Sequence, residues 1–469
     1  MKRINQNRGN IHLLFTRDPL LTLFHEEMEY FTSDDERLLG VVLRDKVDSD
    51  CYHAILLDRK LDGKYAIVNY SQDNETIGRA RQKLSNMMNE YEYPYPSSQV
   101  TQSVFFNPVV KENQEHPSFK ELRDNPFFAA AKRVIDEISF HFNDKDNNFV
   151  DQFQSQNGFD ARVWELYLKC YLREEGFDFE EKYDVPDFIV EKGKNEVGIE
   201  AVTVSEKDKK IQTDPYDIKM IQEALKNDVP LMFGSPLYTK VKHTCENSNY
   251  WNLPQMKDVP FMLAIADFHG IMSMTWTFPA IVSALYGIDQ TIEVDENNDP
   301  RLKTINGLNH FKKNGTTIPP LFFSKDFENV SAVLFSPCGT ISKFNRMGVQ
   351  AGFGIPGFST LVQIKTCYNH LENAFFPNLV MEPITEESHE TWADGIQIFH
   401  NPLAVRPLDH DLFPLAGHHF YKDGQLYSQI PKDHVISTTT FNISGNPKVP
   451  YKRIDSKNVF VDVSRQWNL

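Results

Sequence analysis

The chain has 469 residues, of which 41% are hydrophobic and 24% charged, and its formal net charge is −16 at pH 7. This length exceeds that of one ordinary domain, so two or three domains are expected, and the composition is typical of soluble globular proteins. The negative charge excludes a broad, non-specific attraction to nucleic acid, but it leaves room for a local basic groove.

The sequence predicts a cytoplasmic protein without a membrane partner. Its richest apolar stretch, 260–286, is broken by Asp267, His269 and two prolines, so it is not a bilayer span. Arg17 and Asp18 interrupt the apolar segment that follows the basic N-terminus, and no signal peptide is expected. The five cysteines are scattered and form no CxxC pair, which favours reduced thiols in the cytosol.

Residues 1–92 are predicted to form an N-terminal α/β module. Three apolar runs, joined by connections that contain Asp and Gly, indicate a meander of antiparallel strands, and a helix from about 77 to 88 follows them. The strand-like runs are 39–43, 52–57 and 65–68. The Pro- and Ser-rich stretch 91–98 indicates a boundary, and we predict a linker over 93–120.

Residues 121–290 are predicted to form a three-layer α/β core. Asn125 and Pro126 open one helix, and a second helix begins near Asp160 and ends before Gly176. The elements expected after a central hairpin are helical pieces at 218–225 and 237–242, a doubly buried strand at 260–267, and a helix ending at Tyr286. This order of elements predicts the α/β fold class.

Residues 291–469 differ in character from the core. They combine strand-like runs, such as 330–335, with many Gly, Pro, Asn and aromatic residues. We predict a β-rich C-terminal module packed on the core.

The segment from Pro186 to Val204 is predicted to form a β-hairpin, because two apolar-rich runs flank a polar turn that contains Gly193. If the turn is centred on Gly193 and the next residue, Asp187 lies directly opposite Glu200. Cross-strand partners are about 5 Å apart at Cβ. Two carboxylates at this separation repel each other unless a cation lies between them, and oxygen ligands favour Mg²⁺ or Mn²⁺.

The hairpin, together with Glu165 on the helix before it, resembles the PD-(D/E)XK nuclease superfamily, whose members share the restriction-endonuclease-like fold. The resemblance covers about residues 155–285. It implies that Asp187, Glu200 and the main-chain carbonyl of Ala201 hold the metal, with Glu165 assisting directly or through water. A divalent ion held in this way can polarise a phosphodiester and lower the pKa of bound water. The implied function is a metal-dependent nuclease, with DNA favoured over RNA as the substrate, in bacterial antiviral defence or restriction.

The sequence departs from the superfamily at one position, because the motif Lys two residues after the second acid is Val202. Members of the superfamily also supply this cation from a neighbouring helix, so Lys240 and Lys242 are the candidate catalytic lysines. A solvated helix face is the alternative explanation for each of them. The alternative function is an inactive nuclease fold that binds nucleic acid or serves as an assembly subunit. Whether the chain needs a partner protein or forms a homo-oligomer is left open.

Two other groups of residues are candidates for function. Lys343 and Arg346 flank an aromatic residue, a combination that suits contact with nucleic acid, and a basic surface loop is the alternative. Asp267 and His269 follow the predicted buried strand, where α/β folds place polar groups of a site, and a simple strand-end turn is the alternative.

The C-terminal region also contains six histidines, which suggests a zinc-dependent hydrolase as a third hypothesis. Their spacing fits no standard ligand pattern and no cysteine joins them, so hydrogen-bonded or surface histidines are the favoured interpretation. They are His389, His400, His410, His418, His419 and His434.

Overall fold

The computed structural model describes most of the chain. The described residues are 1–142, 144, 148–205, 213–215, 217–245, 247–294, 300–305, 311–313, 316–370 and 377–454. The architecture is α/β with a β-rich portion, as the sequence predicts. The chain divides into two compact units. Unit 1 contains 1–159, 341–359 and 384–391, and unit 2 contains 160–340, 360–383 and 392–469.

The helices and strands are numbered here in chain order. The helices are α1 (Gln6–Leu13), α2 (Pro19–Phe24), α3 (Ile77–Glu90), α4 (Pro117–Asp124), α5 (Ala129–Ser139), α6 (Phe149–Gln154), α7 (Phe159–Glu174), α8 (Ile218–Lys242), α9 (Phe278–Tyr286) and α10 (Ile341–Gln350). The strands are β1 (Lys2–Ile4), β2 (His25–Thr32), β3 (Leu38–Asp45), β4 (Tyr52–Arg59), β5 (Tyr65–Asn74), β6 (Asp178–Phe179), β7 (Phe188–Lys192), β8 (Asn195–Ser205), β9 (Phe261–Phe268), β10 (Asp289–Val294), β11 (Pro300–Ile305), β12 (Phe311–Lys313), β13 (Thr316–Ile318), β14 (Ala332–Phe335), β15 (Ser359–Cys367), β16 (Asn378–Ile384), β17 (Gln397–His400), β18 (Gly417–Lys422), β19 (Gln425–Gln429), β20 (Val435–Ser444) and β21 (Lys452–Ile454).

Unit 1 contains the predicted antiparallel meander of β3, β4 and β5, to which β1 and β2 add two strands that the sequence did not predict, in the order β1-β2-β3-β4-β5. Strand side chains alternate between the two faces, so Leu39 and Val41 join one apolar cluster while Leu38 and Val42 join another. The second cluster is covered by α3, which contributes Leu84 and begins at the predicted position.

Unit 2 contains an eight-stranded sheet with the order β19-β18-β17-β14-β9-β8-β7-β6. The predicted apolar strand at 260–267 is β9, which pairs in parallel with both β8 and β14. Its side chains are buried on both faces, as expected for a strand inside a parallel array. A further four-stranded sheet has the order β20-β15-β16-β21.

The boundaries of the two units differ from the boundaries of the predicted modules. Strands β14, β17, β18 and β19 follow residue 290 in the chain, yet all four belong to the same sheet as β9. The expected boundary between the core and the module 291–469 therefore lies inside unit 2. Unit 1 likewise extends past the predicted linker 93–120, to residue 159.

Helix α8 is one continuous helix of 25 residues, whereas the sequence predicts two shorter pieces. Pro230 and Pro236 lie inside it, and each removes one backbone hydrogen bond. Its apolar side chains, including Phe233 and Leu237, pack in the cluster that covers the sheet of unit 2. This burial offsets the lost hydrogen bonds, because tertiary packing supplies most of the stability of protein helices. Despite this length, no helix in the described part of the chain is apolar enough to cross a membrane.

Candidate active site

The central hairpin has the predicted pairing. Strands β7 and β8 are joined by a two-residue turn whose first residue, Gly193, has a φ of +67°, a left-handed conformation that glycine adopts without strain. Phe188 pairs with Ile199, so the position before the first strand meets Glu200. That position is Asp187, and its backbone N–H donates to Glu200 Oε2 at 3.2 Å.

Both acids lie on the side of the sheet that faces α8. Val202, Val204 and Ile189 are buried in the apolar cluster that also contains Phe233 and Leu237 of α8. Their side chains therefore project from the face of the sheet that α8 covers. Glu200 precedes Val202 by two residues and Asp187 precedes Ile189 by two, so all of them share one face. Asp187 Oδ2 also accepts a hydrogen bond of 2.7 Å from a backbone N–H of the second strand, that of Ala201.

Of the two candidate lysines, Lys240 reaches the acids and Lys242 does not. The Lys240 ammonium donates to Glu200 Oε1. Lys242 is half exposed and binds Asp326 Oδ1 at 2.7 Å instead. Residues two apart point to different sides of a helix, which explains why only one of them can face the sheet.

Glu165 lies on α7, and Arg162, one turn earlier, donates to its Oε2 at 2.6 Å. Burial raises the pKa of the Glu165 carboxyl, the Arg162 guanidinium opposes this change, and the charge of Glu200 adds to it. Glu165 therefore interacts electrostatically with the hairpin acids. The spacing of Arg162 and Glu165 is visible in the sequence, but ion pairs three residues apart are common on helices and do not indicate a site.

The three carboxyl groups oppose one another's ionisation. The pKa of Asp187 is raised well above its usual range, first by burial and then by Glu200 and Glu165. Lys240 and the N–H of Ala201 oppose this shift without cancelling it. Negative charge at the site is thus incompletely compensated, and an added cation would stabilise it.

Two side chains that bind Glu200 stay protonated. Burial alone would lower the pKa of Lys240, but the neighbouring carboxylates, Glu200 foremost, raise it overall. The hydroxyl of Tyr250 donates to Glu200 Oε1 at 2.8 Å, and burial followed by the Glu200 charge raises its pKa. Tyr250 lies in a short turn after α8, where no spacing or motif in the sequence indicates a role.

The donor set at the hairpin suits a hard cation. Asp187, Glu200, Glu165 and the carbonyl of Ala201 offer only oxygen, which Mg²⁺ and Mn²⁺ prefer. The carboxylate oxygens of the three acids do not all lie within 4.8 Å of one another. Two other sets of three side chains in the described part of the chain do have ligand atoms this close together. Those groups are His25, Asp45 and His53, and Asp409, His410 and Asp411. The site thus has suitable ligands, with Lys240 as the present counter-ion of Glu200.

Lys343 and Arg346, predicted to contact nucleic acid, are not exposed at the surface. They lie on α10, not on a loop, and both side chains are buried. Lys343 Nζ and Arg346 Nε bind the two oxygens of Glu390 at 2.6 and 2.7 Å. The structure therefore places both cations in an internal ion pair and not on a binding surface, because their charge is compensated inside unit 1.

Four of the six C-terminal histidines are buried: His400, His418, His419 and His434. His419 contacts Gln397 Oε1 and Ser428 Oγ through its two ring nitrogens, at 2.9 and 2.8 Å. Burial lowers the pKa values of His400 and His419 to about 3, so both are neutral. Each of the four buried histidines makes a hydrogen-bond contact within the protein.

Asp267 and His269 form a turn at the end of β9. Asp267 Oδ1 accepts from the backbone N–H and from ring Nδ1 of His269, at 3.0 and 2.7 Å. Glu200 is level with Leu263, four residues earlier on β9, so this pair lies beyond the carboxylate site along the strand. Asp267 and His269 thus form a strand-end turn, which was the alternative interpretation of these two residues.

Comparisons with family models, with curated proteins and with solved structures found no match for this chain. A functional assignment therefore depends on the residues at the hairpin and their geometry.

Proposed function

We propose that this protein is a metal-dependent nuclease that hydrolyses phosphodiester bonds, with DNA as the favoured substrate. One observation carries the proposal: Lys240 contacts Glu200 on the sheet face where the motif Lys of the superfamily is replaced by Val202. An acidic pair with an adjacent cation is therefore retained, although the cation comes from a different element. A role in restriction or antiviral defence belongs to the proposal and rests on the resemblance alone.

Each residue has a distinct task in this proposal. Asp187 and Glu200 would hold a divalent cation, with the carbonyl of Ala201 and the Glu165 carboxylate as further ligands. The bound cation would polarise a phosphoryl oxygen and lower the pKa of an attacking water. The raised pKa of Asp187 supports this assignment, because neighbouring carboxylates that repel one another are stabilised by positive charge.

Lys240 would stabilise negative charge that develops on the phosphate during the reaction. Its pKa is raised by Glu200, so the side chain carries a proton at neutral pH and does not serve as a general base. A fixed positive charge near the reacting phosphate lowers the barrier without a proton transfer. Tyr250 would position Glu200 through its hydrogen bond, without contact to the substrate.

A second function is favoured by one specific observation. The three carboxylates do not converge within 4.8 Å, and Lys240 neutralises Glu200 directly. Such an arrangement also suits a fold that has lost catalysis and serves as a nucleic-acid-binding or assembly subunit.

Cleavage assays separate the two functions. We expect purified protein with Mg²⁺ or Mn²⁺ to cleave DNA, and both a chelator and the substitutions Asp187→Ala and Glu200→Ala to abolish cleavage. Glu196→Ala is the matched control, because this acid lies on the same hairpin but is exposed to solvent. Binding of single- or double-stranded DNA or RNA without cleavage under any of these conditions would support the second function. Cleavage that survives both hairpin substitutions would refute the proposed site.

A further inference from the structure

Four side chains with metal-binding chemistry lie together at one end of the unit 1 sheet. His25 on β2 pairs with Asp45 on β3, and the N–H of Asp45 donates to the carbonyl of Cys51 at 3.0 Å. His53 on β4 pairs with Leu43, two residues before Asp45. Because strand side chains alternate with a period of two, all four project from the same face.

Ligand atoms of three of these residues converge, and the sulfur of Cys51 lies near one of them. One atom each of His25, Asp45 and His53 lies within 4.8 Å of the other two. His53 Nε2 is 3.7 Å from Asp45 Oδ2 and 3.9 Å from the sulfur of Cys51. Metal–ligand bonds of about 2.0–2.3 Å in a tetrahedron separate the ligand atoms by roughly 3.3–3.7 Å. Small side-chain movements would therefore bring the four groups onto one ion.

Surrounding groups already orient two of the ligands. His25 Nδ1 lies 3.3 Å from the carbonyl oxygen of Leu21, which only accepts, so Nδ1 carries the hydrogen and Nε2 is left for a metal. Asp45 Oδ1 accepts from the backbone N–H groups of Val47 and Asp48, at 2.6 and 3.0 Å. Oδ2 is thereby directed to His53. Metal sites in proteins commonly fix their histidines and carboxylates through such outer hydrogen bonds.

We propose that His25, Asp45, Cys51 and His53 bind a Zn²⁺ ion. Two imidazoles, a thiolate and a carboxylate form a donor set that favours zinc over the hard cations expected at the hairpin. All four coordination positions are filled by the protein, which is the arrangement of structural sites. The ion links three neighbouring strands at the 46–50 turn. Binding releases the thiol proton of Cys51, so the affinity falls as the pH is lowered.

The test uses the full chain, stripped of metal and titrated with Zn²⁺ and with Co²⁺ as a spectroscopic probe. We expect about one equivalent of metal at this site and a thiolate-to-cobalt charge-transfer band. Cys51→Ser removes the band. His53→Ala weakens Co²⁺ binding by at least about tenfold, because even the loss of an outer hydrogen bond costs that much.

Cys245→Ser is the matched control, since the Cys245 sulfur lies 3.3 Å from His243 Nε2 but has no comparable group of ligands among the described residues. This variant and Asp187→Ala both keep the band, so loss of nuclease activity and loss of zinc binding are distinguishable. A second measurement needs no variant: Zn²⁺ slows alkylation of Cys51 in the wild type and leaves Cys245 unaffected. Absence of the band in the wild type, its survival in Cys51→Ser, or unprotected Cys51 would overturn the proposal.

Discussion

Lys240 contacts Glu200 from α8, while the strand position two residues after Glu200 holds Val202. Val202 is buried in the apolar cluster beneath that helix. A lysine in its place would bring its ammonium into this cluster. With valine there, the helix can pack closely on the strand and its last turn can deliver the cation.

The hairpin acids can be predicted from the sequence because their pairing depends only on the turn between them. A two-residue turn at Gly193 is enough to place Asp187 opposite Glu200. The lysine is harder to predict, since Lys240 and Lys242 differ only in the side of α8 from which they project. Tyr250 carries no signal at all, because its contact with Glu200 depends on how the chain turns after that helix.

Replacing Asp187 by Asn is expected to stabilise the metal-free protein. The folded state raises the pKa of this carboxyl, so its stabilising contribution is complete below the unfolded pKa of about 4 and is lost as the pH rises towards the folded-state value. We expect Asp187→Asn to raise the free energy of unfolding by up to about 1 kcal/mol near pH 8 and by less near pH 4, because Asp187 is exposed and solvent screens the repulsion between the carboxylates.

Thermal denaturation with a chelator and with Mg²⁺ measures this effect. Mg²⁺ should raise the Tm of the wild type, because a ligand that binds only the folded state stabilises it, and should leave Asp187→Asn unchanged. A variant that is less stable than the wild type without metal would show that the carboxyl is not under electrostatic strain.

At the scale of elements, α8 and α10 show where local patterns mislead. The sequence predicts two helical pieces where α8 is one helix, because the apolar side that packs on the sheet keeps the helix continuous through two prolines. The basic segment that contains Lys343 and Arg346 suggests a surface. Its actual partner, Glu390, lies 44 residues after Arg346, and no local pattern connects them.

The buried ion pairs of α10 are expected to contribute strongly to the stability of unit 1. The Arg346 and Lys343 charges outweigh the effect of burial and lower the pKa of Glu390 to about 2. Glu390→Gln removes the carboxylate charge that Lys343 and Arg346 share in the interior, which should lower the free energy of unfolding by about 3–5 kcal/mol. Urea denaturation at neutral pH measures the loss. Glu387→Gln, at an exposed position nearby, should have almost no effect, and equal losses in both variants would contradict this explanation.

At the scale of the whole molecule, the sheet of unit 2 is assembled from distant parts of the chain. Strands β8 and β9 acquire their neighbour β14 from beyond residue 290, after the predicted end of the core. The sequence indicates each strand, because burial leaves an apolar pattern. It does not indicate that strands separated by so many residues share one sheet, and this is why the predicted boundaries differ from the observed units.

Buried neutral histidines on this sheet make the whole protein sensitive to acid. The folded-state pKa of His419 is lowered to about 3, so unfolding takes up a proton once the pH falls below the unfolded value. With an unfolded pKa of about 6.5, this one group costs about 2 kcal/mol between pH 7 and pH 5.

Denaturation at both pH values in His419→Gln tests this prediction. The loss of stability between them should be smaller than in the wild type by the contribution of His419. His389→Gln, at an exposed position outside this sheet, is the control. An unaltered pH dependence in His419→Gln would argue that this histidine is not buried in its neutral form.

The most direct measurement of the proposed function is the single-turnover rate of DNA cleavage by the wild type, Lys240→Ala and Lys242→Ala, with Mg²⁺ saturating. Loss of one preorganised charge at a reacting phosphate should slow Lys240→Ala by about 10²–10³-fold. Lys242→Ala should cleave at the wild-type rate, since Lys242 binds Asp326 outside the site. Equal rates for Lys240→Ala and the wild type would contradict the assignment of Lys240 as the cation that replaces the motif lysine.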